Sequence, residues 1–402
     1  LDDPEGFLRS LFARAVAAAS DFSMIPGLIP RVDGRVRVLG AGKAAASMAA
    51  AIESSPPQWL VTGQIDGLVV TPPGHGLPLT VFASMTAGHP VPNEASLAAG
   101  EQMLALAEDL REEDLLVALV SGGASALLAA PIHGANLQDE IDLNHRLLRS
   151  GLPISQMNAA RARLSRIKGG GLARAAAPAR VITFVVSDVP DDEPSRVGSG
   201  PTIAPLPISL SETALAILPD IPFPEPSGPV ASEVHLVVTA KDAFASAERE
   251  ARAHGLNVLN LGSDLEGEAR ELGREHAVLA RRLAETDRPC LVLSGGETSV
   301  TVRGGGRGGR NTEYLAGFMQ ELGPIPGVWA LAADTDGLDG AGPCAGAIVR
   351  PDSHERLLSS GIDADKLLQN NDTLTLLESA GEVIITGPTR TNVNDFRAVL
   401  IL

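Results

Sequence analysis

Val36-Arg37-Val38-Leu39-Gly40-Ala41-Gly42-Lys43-Ala44-Ala45 is the stretch on which the reading of this chain turns. A short apolar, β-branched run meets two glycines and then an alanine-rich segment, 44–52. That order predicts a buried strand, a tight turn and a helix. The pattern recurs. Residues 115–120 precede Ser121-Gly122-Gly123, residues 180–186 precede Ser187-Asp188, and 67–70 is a further strand candidate. Helices are expected over 4–20, 94–110, 136–150 and 155–176. Strands alternating with helices predict an α/β fold of the doubly wound kind.

Further along, residues 219–230 break the pattern. Five prolines in 219–229 make a stiff connector that no helix or central strand contains. After it the alternation restarts, with strands expected at 234–239, 256–261, 290–293, 328–332 and 382–386 and helices at 241–254 and 264–286. The expectation is two α/β domains with largely parallel sheets, 1–228 (Rossmann-like) and 229–402. The N-terminal helix could pack on either. The segments 116–125 and 290–299 echo each other as strand-Ser-Gly-Gly, which fits either a duplication or two uses of one turn.

The chain has 402 residues, 44% hydrophobic and 20% charged, enough for a sizeable core. Its net charge of −17 argues against a nucleic-acid or anionic-membrane partner, and 3% aromatics argue against base stacking. Two cysteines make no disulfide framework. No signal peptide and no membrane span is visible, so a cytoplasmic protein is expected. A homo-oligomer is possible.

Several loops could carry chemistry. Gly40-Ala41-Gly42-Lys43 after a strand lets backbone N–H groups approach an anion, and one of only four lysines sits there. It fits G-x-G-x-x-A but is not a Walker loop. Ser121-Gly122-Gly123-Ala124-Ser125 suits a phosphate cradle or a plain turn. Arg161, Arg163, Arg166 and Lys168 are expected on one helix ending at Gly169-Gly170-Gly171. Asp188 stands at a strand's carboxyl end, as a general base, a metal ligand or a cap. Arg303, Arg307 and Arg310 alternate with five glycines, which suits wrapping an oxyanion. Asp334 and Asp336 could hold Mg²⁺ or form an Asx turn. His89 reads as a turn residue. The ligand-facing loops are expected to be basic although the whole chain is acidic.

Taken in order, VLGAGKAA, TAGHPVPNEAS, SGGASALL, NAARARLSRIKGGGLA, SDVPDDEPSRVGSGPT, SGGETSVTVRGGGRGGRNTE, ALAADTDGLDG and TGPTRTNVND resemble the glycerate 2-kinase family, whose C-terminal domain is called MOFRL and whose members often carry the label hydroxypyruvate reductase. The resemblance spans about 36–395. It implies ATP-dependent phosphorylation of D-glycerate at the 2-hydroxyl, with Mg²⁺, in a site between two α/β domains. Lys43, Asp188 and Arg310 match the family's catalytic positions. On this reading Gly40, Gly42, Lys43, Ser121, Gly122, Gly123 and Ser125 cradle ATP. Arg161, Lys168, Glu297, Arg310 and Asn311 face the substrate, and Asp188, Asp334 and Asp336 are the metal candidates. The chain departs from the family where Val189-Pro190-Asp191-Asp192-Glu193-Pro194 lacks the usual glycine, and where Val197-Gly198 replaces Ile-Ala. The alternatives are an NAD(P)H-dependent hydroxypyruvate reductase and a non-catalytic sugar-acid sensor.

Overall fold

A computed structural model of the chain describes residues 1–402 except Thr62, Leu206, Pro207, 224–229, Ala341, Gly381 and Glu382. Part of the expected connector and the first residue of the expected strand 382–386 therefore lie outside the described residues. The chain divides into two units, Ser20–Val238 and Leu1–Ala19 with Thr239–Leu402.

The first unit holds β1 (Val36–Ala41), β2 (Ile65–Thr71), β3 (Ala83–Thr86), β4 (Leu115–Val120), β5 (Arg180–Val186) and β6 (Glu233–Val238). They form one sheet in the order β3-β2-β1-β4-β5-β6, every pair parallel. All residues of β1 and β4 are buried, as in strands covered on both faces; β4 reads as an unbroken apolar run, and β1 is interrupted by Arg37, whose guanidinium pairs with Asp66. This is the doubly wound order that reverses between β1 and β4.

In the second unit lie β7 (Asn257–Asn260), β8 (Cys290–Gly296), β9 (Val328–Asp334), β10 (Gly346–Val349), β11 (Val383–Ile384) and β12 (Asp395–Ile401). Their order is β11-β10-β9-β12-β8-β7. The expectation of a largely parallel sheet fails here. β12 runs antiparallel to both β8 and β9, and β10 antiparallel to β9 and β11; β7 with β8 is the one parallel pair among the described strands. Two of these four antiparallel pairings come from β12, inserted between β9 and β8, and the other two from β10.

The division also differs from 1–228 and 229–402. Residues 233–238 form β6 and pair with β5, with Ser187 N donating to Val238 O at 3.0 Å. The helix Pro4–Ala18 joins the later unit: Phe7 packs on His254 with centroids 5.0 Å apart, and Arg14 pairs with Glu250 at 3.3 Å. The Ser-Gly-Gly echo is not architectural. Ser121-Gly122-Gly123 follows a parallel strand, whereas Ser294-Gly295-Gly296 lies within β8, paired antiparallel to β12. Among the described residues no helix is long and apolar enough to cross a membrane.

Candidate functional site

Two loops meet where the strand order reverses, at the carboxyl edge of the first sheet. Lys43 N donates to Gly122 O at 2.9 Å, and Ala44 N donates to Ser121 Oγ at 3.0 Å. Gly42 has φ +126°, and a Cβ there would stand 2.2 Å from Ser121 Oγ, so only glycine lets the loops knit. The helix Ala45–Ser54 starts at this seam with no side-chain cap on its first N–H groups, a setting that favours an anion. Gly40 lies inside β1 and supports the turn from below.

A third loop reaches the same place. Gly123 has φ +87°, and a Cβ on it would lie 3.1 Å from His89 Cδ2, 3.2 Å from Nε2 and 3.8 Å from Lys43 Cγ. Crowding by protein, then the Lys43 ammonium and His75, push His89 down to about 4, so its imidazole is neutral at pH 7. His89 lies in a bend after β3, with its ring beside Gly123, and His75, buried nearby, escaped the sequence reading altogether.

Asp188 follows β5 by two residues and is half-buried. β4 separates β1 from β5, so Lys43 and Asp188 leave strand ends about 10 Å apart. Ser125 Oγ lies 2.9 Å from Ser199 Oγ, which lies 3.2 Å from Asn158 Oδ1, and Arg161 Nη1 donates to that oxygen at 2.9 Å. Arg161 Nε donates to Asn144 Oδ1 at 2.8 Å. These amides carry no charge. Among the described residues no carboxylate sits against Arg161, and burial alone lowers its pKa.

Lys168 is different. The expected helix 155–176 is broken into Ile154–Arg163 and Gly171–Ala175, because Arg166 N turns away to Ala130 O at 2.7 Å and Gly169 and Gly170 take left-handed φ. Lys168 falls in the break and pairs with Glu140 at 2.9 Å, both side chains 4% exposed. Its position is that of an internal tie, against the expected substrate contact.

The second unit gathers the other candidates. The helix Arg310–Leu322 begins beside the ends of β8, β9 and β12. Arg310 donates from Nε to Asp395 Oδ1, from Nη1 to Glu297 Oε1 and from Nη2 to Asp334 Oδ2, each at 2.8 Å. Burial works against its charge, but the three carboxylates outweigh it and raise its pKa well above the usual value. All three guanidinium nitrogens are therefore engaged by carboxylates, and the surroundings, with Asp336 and Asp339 added, are acidic where a basic loop was expected. Asn311 is fully buried: its N donates to Asp339 Oδ1 at 2.9 Å and its Nδ2 to Asp395 Oδ1 at 2.7 Å. Asp339 also accepts from Thr312 N and Oγ1, both at 2.9 Å. Burial pushes it up to about 6, Asp395 adding to the effect and the N–H donors opposing it. Burial likewise raises Asp395, against the pull of Arg310 and Arg397.

The glycines before Arg310 serve close packing. A Cβ on Gly306 would stand 2.5 Å from Asn370 O, and one on Gly309 2.4 Å from Asp339 Oδ1. Asn371 Oδ1 accepts from Arg303 N at 2.7 Å, and Asp372 Oδ1 from Arg307 N at 3.1 Å. The loop wraps a neighbouring segment, an approach that Gly304, Gly306, Gly308 and Gly309 allow, whereas a Cβ on Gly305 would meet nothing within 4 Å.

Asp334 Oδ1 accepts from Asp336 N at 3.0 Å, and Asp336 Oδ1 from Leu338 N at 2.8 Å. Among the described residues no group of three or more His, Cys, Asp or Glu is arranged to hold a metal. Asp395, Arg397 and Asp339 were not singled out as site residues by sequence, although the first ends the quoted TGPTRTNVND.

Comparison with known proteins gives matches across the chain. Residues 7–230 match the family described as a domain of unknown function (DUF4147), and residues 290–395 the MOFRL family. A protein of Agrobacterium vitis named "Putative hydroxypyruvate reductase" is 43% identical over 98% of this chain and 94% of its own length. The D-glycerate 2-kinase of Thermotoga maritima is 34% identical, covering 100% of both. The crystal structure of a glycerate kinase from Thermotoga maritima superposes with a TM-score of 0.84 at 33% identity, covering 100% of both chains.

Proposed function

We propose a function from one premise: the chain belongs to the glycerate 2-kinase family. It is a glycerate kinase, a phosphotransferase that moves the γ-phosphoryl group of ATP to the 2-hydroxyl of D-glycerate, yielding 2-phosphoglycerate and ADP. The observation that carries this reading is the seam of two glycine loops at the β1/β4 reversal, with Lys43 inside it.

Phosphoryl transfer asks a protein mainly for positioning and charge neutralisation. The seam holds the two loops together through Lys43 N and Ala44 N, the start of helix Ala45–Ser54 beside it takes the ATP phosphates, and the Lys43 ammonium neutralises charge on the transferring group. Asp188 orients the glycerate 2-hydroxyl and accepts its proton as the oxygen bonds to phosphorus and the bond to the ADP oxygen breaks. The span of about 10 Å between the two strand ends suits a phosphoryl group and a three-carbon acid in line. Arg161, a cation whose side-chain partners among the described residues are amides, takes the glycerate carboxylate. Arg310 organises Glu297, Asp334 and Asp395. Of these Glu297 is the exposed one, so Nη1 is the donor that could exchange to a ligand.

Magnesium needs no all-protein cage, since it keeps waters and rides on substrate phosphates. Asp188 is the candidate protein ligand on the first sheet, and Asp334 and Asp336, which also accept from Arg310 and from backbone N–H groups, are the candidates on the second. The ion would neutralise phosphate charge.

The reductase reading draws support from the name of the Agrobacterium relative and from the strand order. Against it, β2 ends Val69-Val70-Thr71 and Pro72 follows, without the carboxylate that a dinucleotide fold uses on the ribose. One assay separates the readings. With ATP, D-glycerate and added enolase, phosphoenolpyruvate is expected without a mutase, because enolase takes only the 2-phosphate. NADH oxidation by hydroxypyruvate without ATP would sink the kinase reading.

A further inference from the structure

Arg37, Arg310 and Arg397 each meet a carboxylate in the folded chain, and so does Lys168. Arg161 meets two carboxamides instead. Its Nε donates to Asn144 Oδ1 at 2.8 Å and its Nη1 to Asn158 Oδ1 at 2.9 Å, while Nη2 makes no hydrogen bond among the described residues. Asn144 comes from the helix Leu137–Leu148. Asn158 sits three residues before Arg161 on the helix Ile154–Arg163 and shares its face. Asn158 is itself fixed. Its Oδ1 also accepts from Ser199 Oγ at 3.2 Å, and its Nδ2 donates to Arg196 O at 3.3 Å. Two donors on one atom and a carbonyl on the other leave the amide one orientation. Ser199 takes φ +61°, between Gly198 at +58° and Gly200 at +54°, a conformation unfavourable for serine. That turn brings its hydroxyl onto Asn158.

We propose that Asn144 and Asn158 are positioning residues, which aim Arg161 by two of its nitrogens and leave its charge unanswered, so that its countercharge is the carboxylate of the acceptor substrate. A carboxylate in either place would aim the guanidinium equally well but would compete with the ligand for it. A half-buried cation without a counterion costs free energy in the empty chain, and an entering anion offsets that cost. The pair thereby selects an acid over a neutral polyol such as glycerol. That the acid is D-glycerate rests on the kinase reading; the neutrality of the two holders does not.

Each asparagine is changed to Asp, which keeps the bond to Arg161 and adds a charge, and to Ala, which drops the bond. The dissociation constant of D-glycerate for the full chain is measured by calorimetry with ADP present, so no turnover is needed. The Ala variants are expected to bind roughly tenfold more weakly through lost orientation, and the Asp variants roughly a hundredfold, because the acid must displace a carboxylate. A scaffolding role gives the opposite order, with Asp close to wild type and Ala worse. That order overturns the inference, as does equal binding in all forms or a wild-type chain that does not bind D-glycerate. Thermal melts check folding. Asn144→Asp removes no other side-chain hydrogen bond among the described residues, so it carries the test if Asn158→Asp fails to fold. If Asp weakens binding more than Ala but ATP and D-glycerate yield no phosphoglycerate, the positioning stands and the kinase reading falls. Phosphoglycerate from a chain whose variants all bind D-glycerate alike gives the reverse.

Discussion

Arginine and lysine side chains that look alike in sequence do three different things here. Lys168 is locked to Glu140 in the interior, Arg310 is ringed by carboxylates, and Arg161 has amides around it and no countercharge within hydrogen-bonding distance among the described residues. The difference sets the outcome of mutation. Arg161→Gln is expected to raise KM for glycerate by roughly tenfold or more, because a charge-assisted bond to a carboxylate is lost; steady-state kinetics at saturating ATP measures it. Arg310→Ala is expected to lose stability as well as activity. It takes one cation from buried Asp334 and Asp395 and leaves Asp395 with Arg397 alone; losing one partner of a buried pair is worth about 3–5 kcal/mol in other proteins. Denaturant unfolding would show it, and an unshifted midpoint would mean the cluster is not structural.

At the level of elements, Asp339 ties a turn after β9 to the start of the helix Arg310–Leu322. Its folded value of about 6 lies above the 3.8 of an ordinary aspartate. The native state therefore keeps this proton where the unfolded chain has released it. The resulting stability is full below about pH 4 and is lost as pH rises through about 6. Asp339→Asn should flatten that fall, shrinking the stability difference between pH 4 and pH 7 by about 1–3 kcal/mol, as read from thermal melts. Other elements differ in how plainly the sequence announces them. β1, β4 and β5 were legible because each is a largely apolar run followed at once by Gly, Ser or Asp at the sheet edge. β12 was not: Asp395 and Arg397 are buried in a central strand, and their pairing with each other, with Arg310, Asn311 and Thr298 beside them, makes those charges tolerable there. The break after Arg163 was hidden too, since the basic residues 161–168 run on in sequence as one helix would. The seam residues Lys43 and Ser121 could be picked out singly, but that Lys43 N bonds Gly122 O and Ala44 N bonds Ser121 Oγ, and that the His89 ring stands beside them, depends on long-range packing that no local pattern encodes.

For the molecule as a whole, the helix Pro4–Ala18 belongs with residues that follow Thr239. Phe7, Leu8, Leu11, Phe12 and Ala15 are its buried face. Leu11→Ala is expected to cost about 2–5 kcal/mol, and hydrogen exchange should quicken in Thr239–Leu402 while Ser20–Val238 keeps its protection. Equal loosening of both units would contradict the division.

That helix has a further consequence during synthesis on the ribosome. About 220 residues, Ser20–Val238, are translated between it and its partner helix Ala240–Ala253, which at 5–20 residues per second takes roughly 11–44 s. Through that interval a helix carrying two phenylalanines and two leucines on one face has no place to dock, while the parallel sheet of the first unit assembles beside it. Nascent chains stalled before Thr239 should accordingly show this segment open to protease or bound by a holdase chaperone, and chains stalled well beyond β12's partner strands should not.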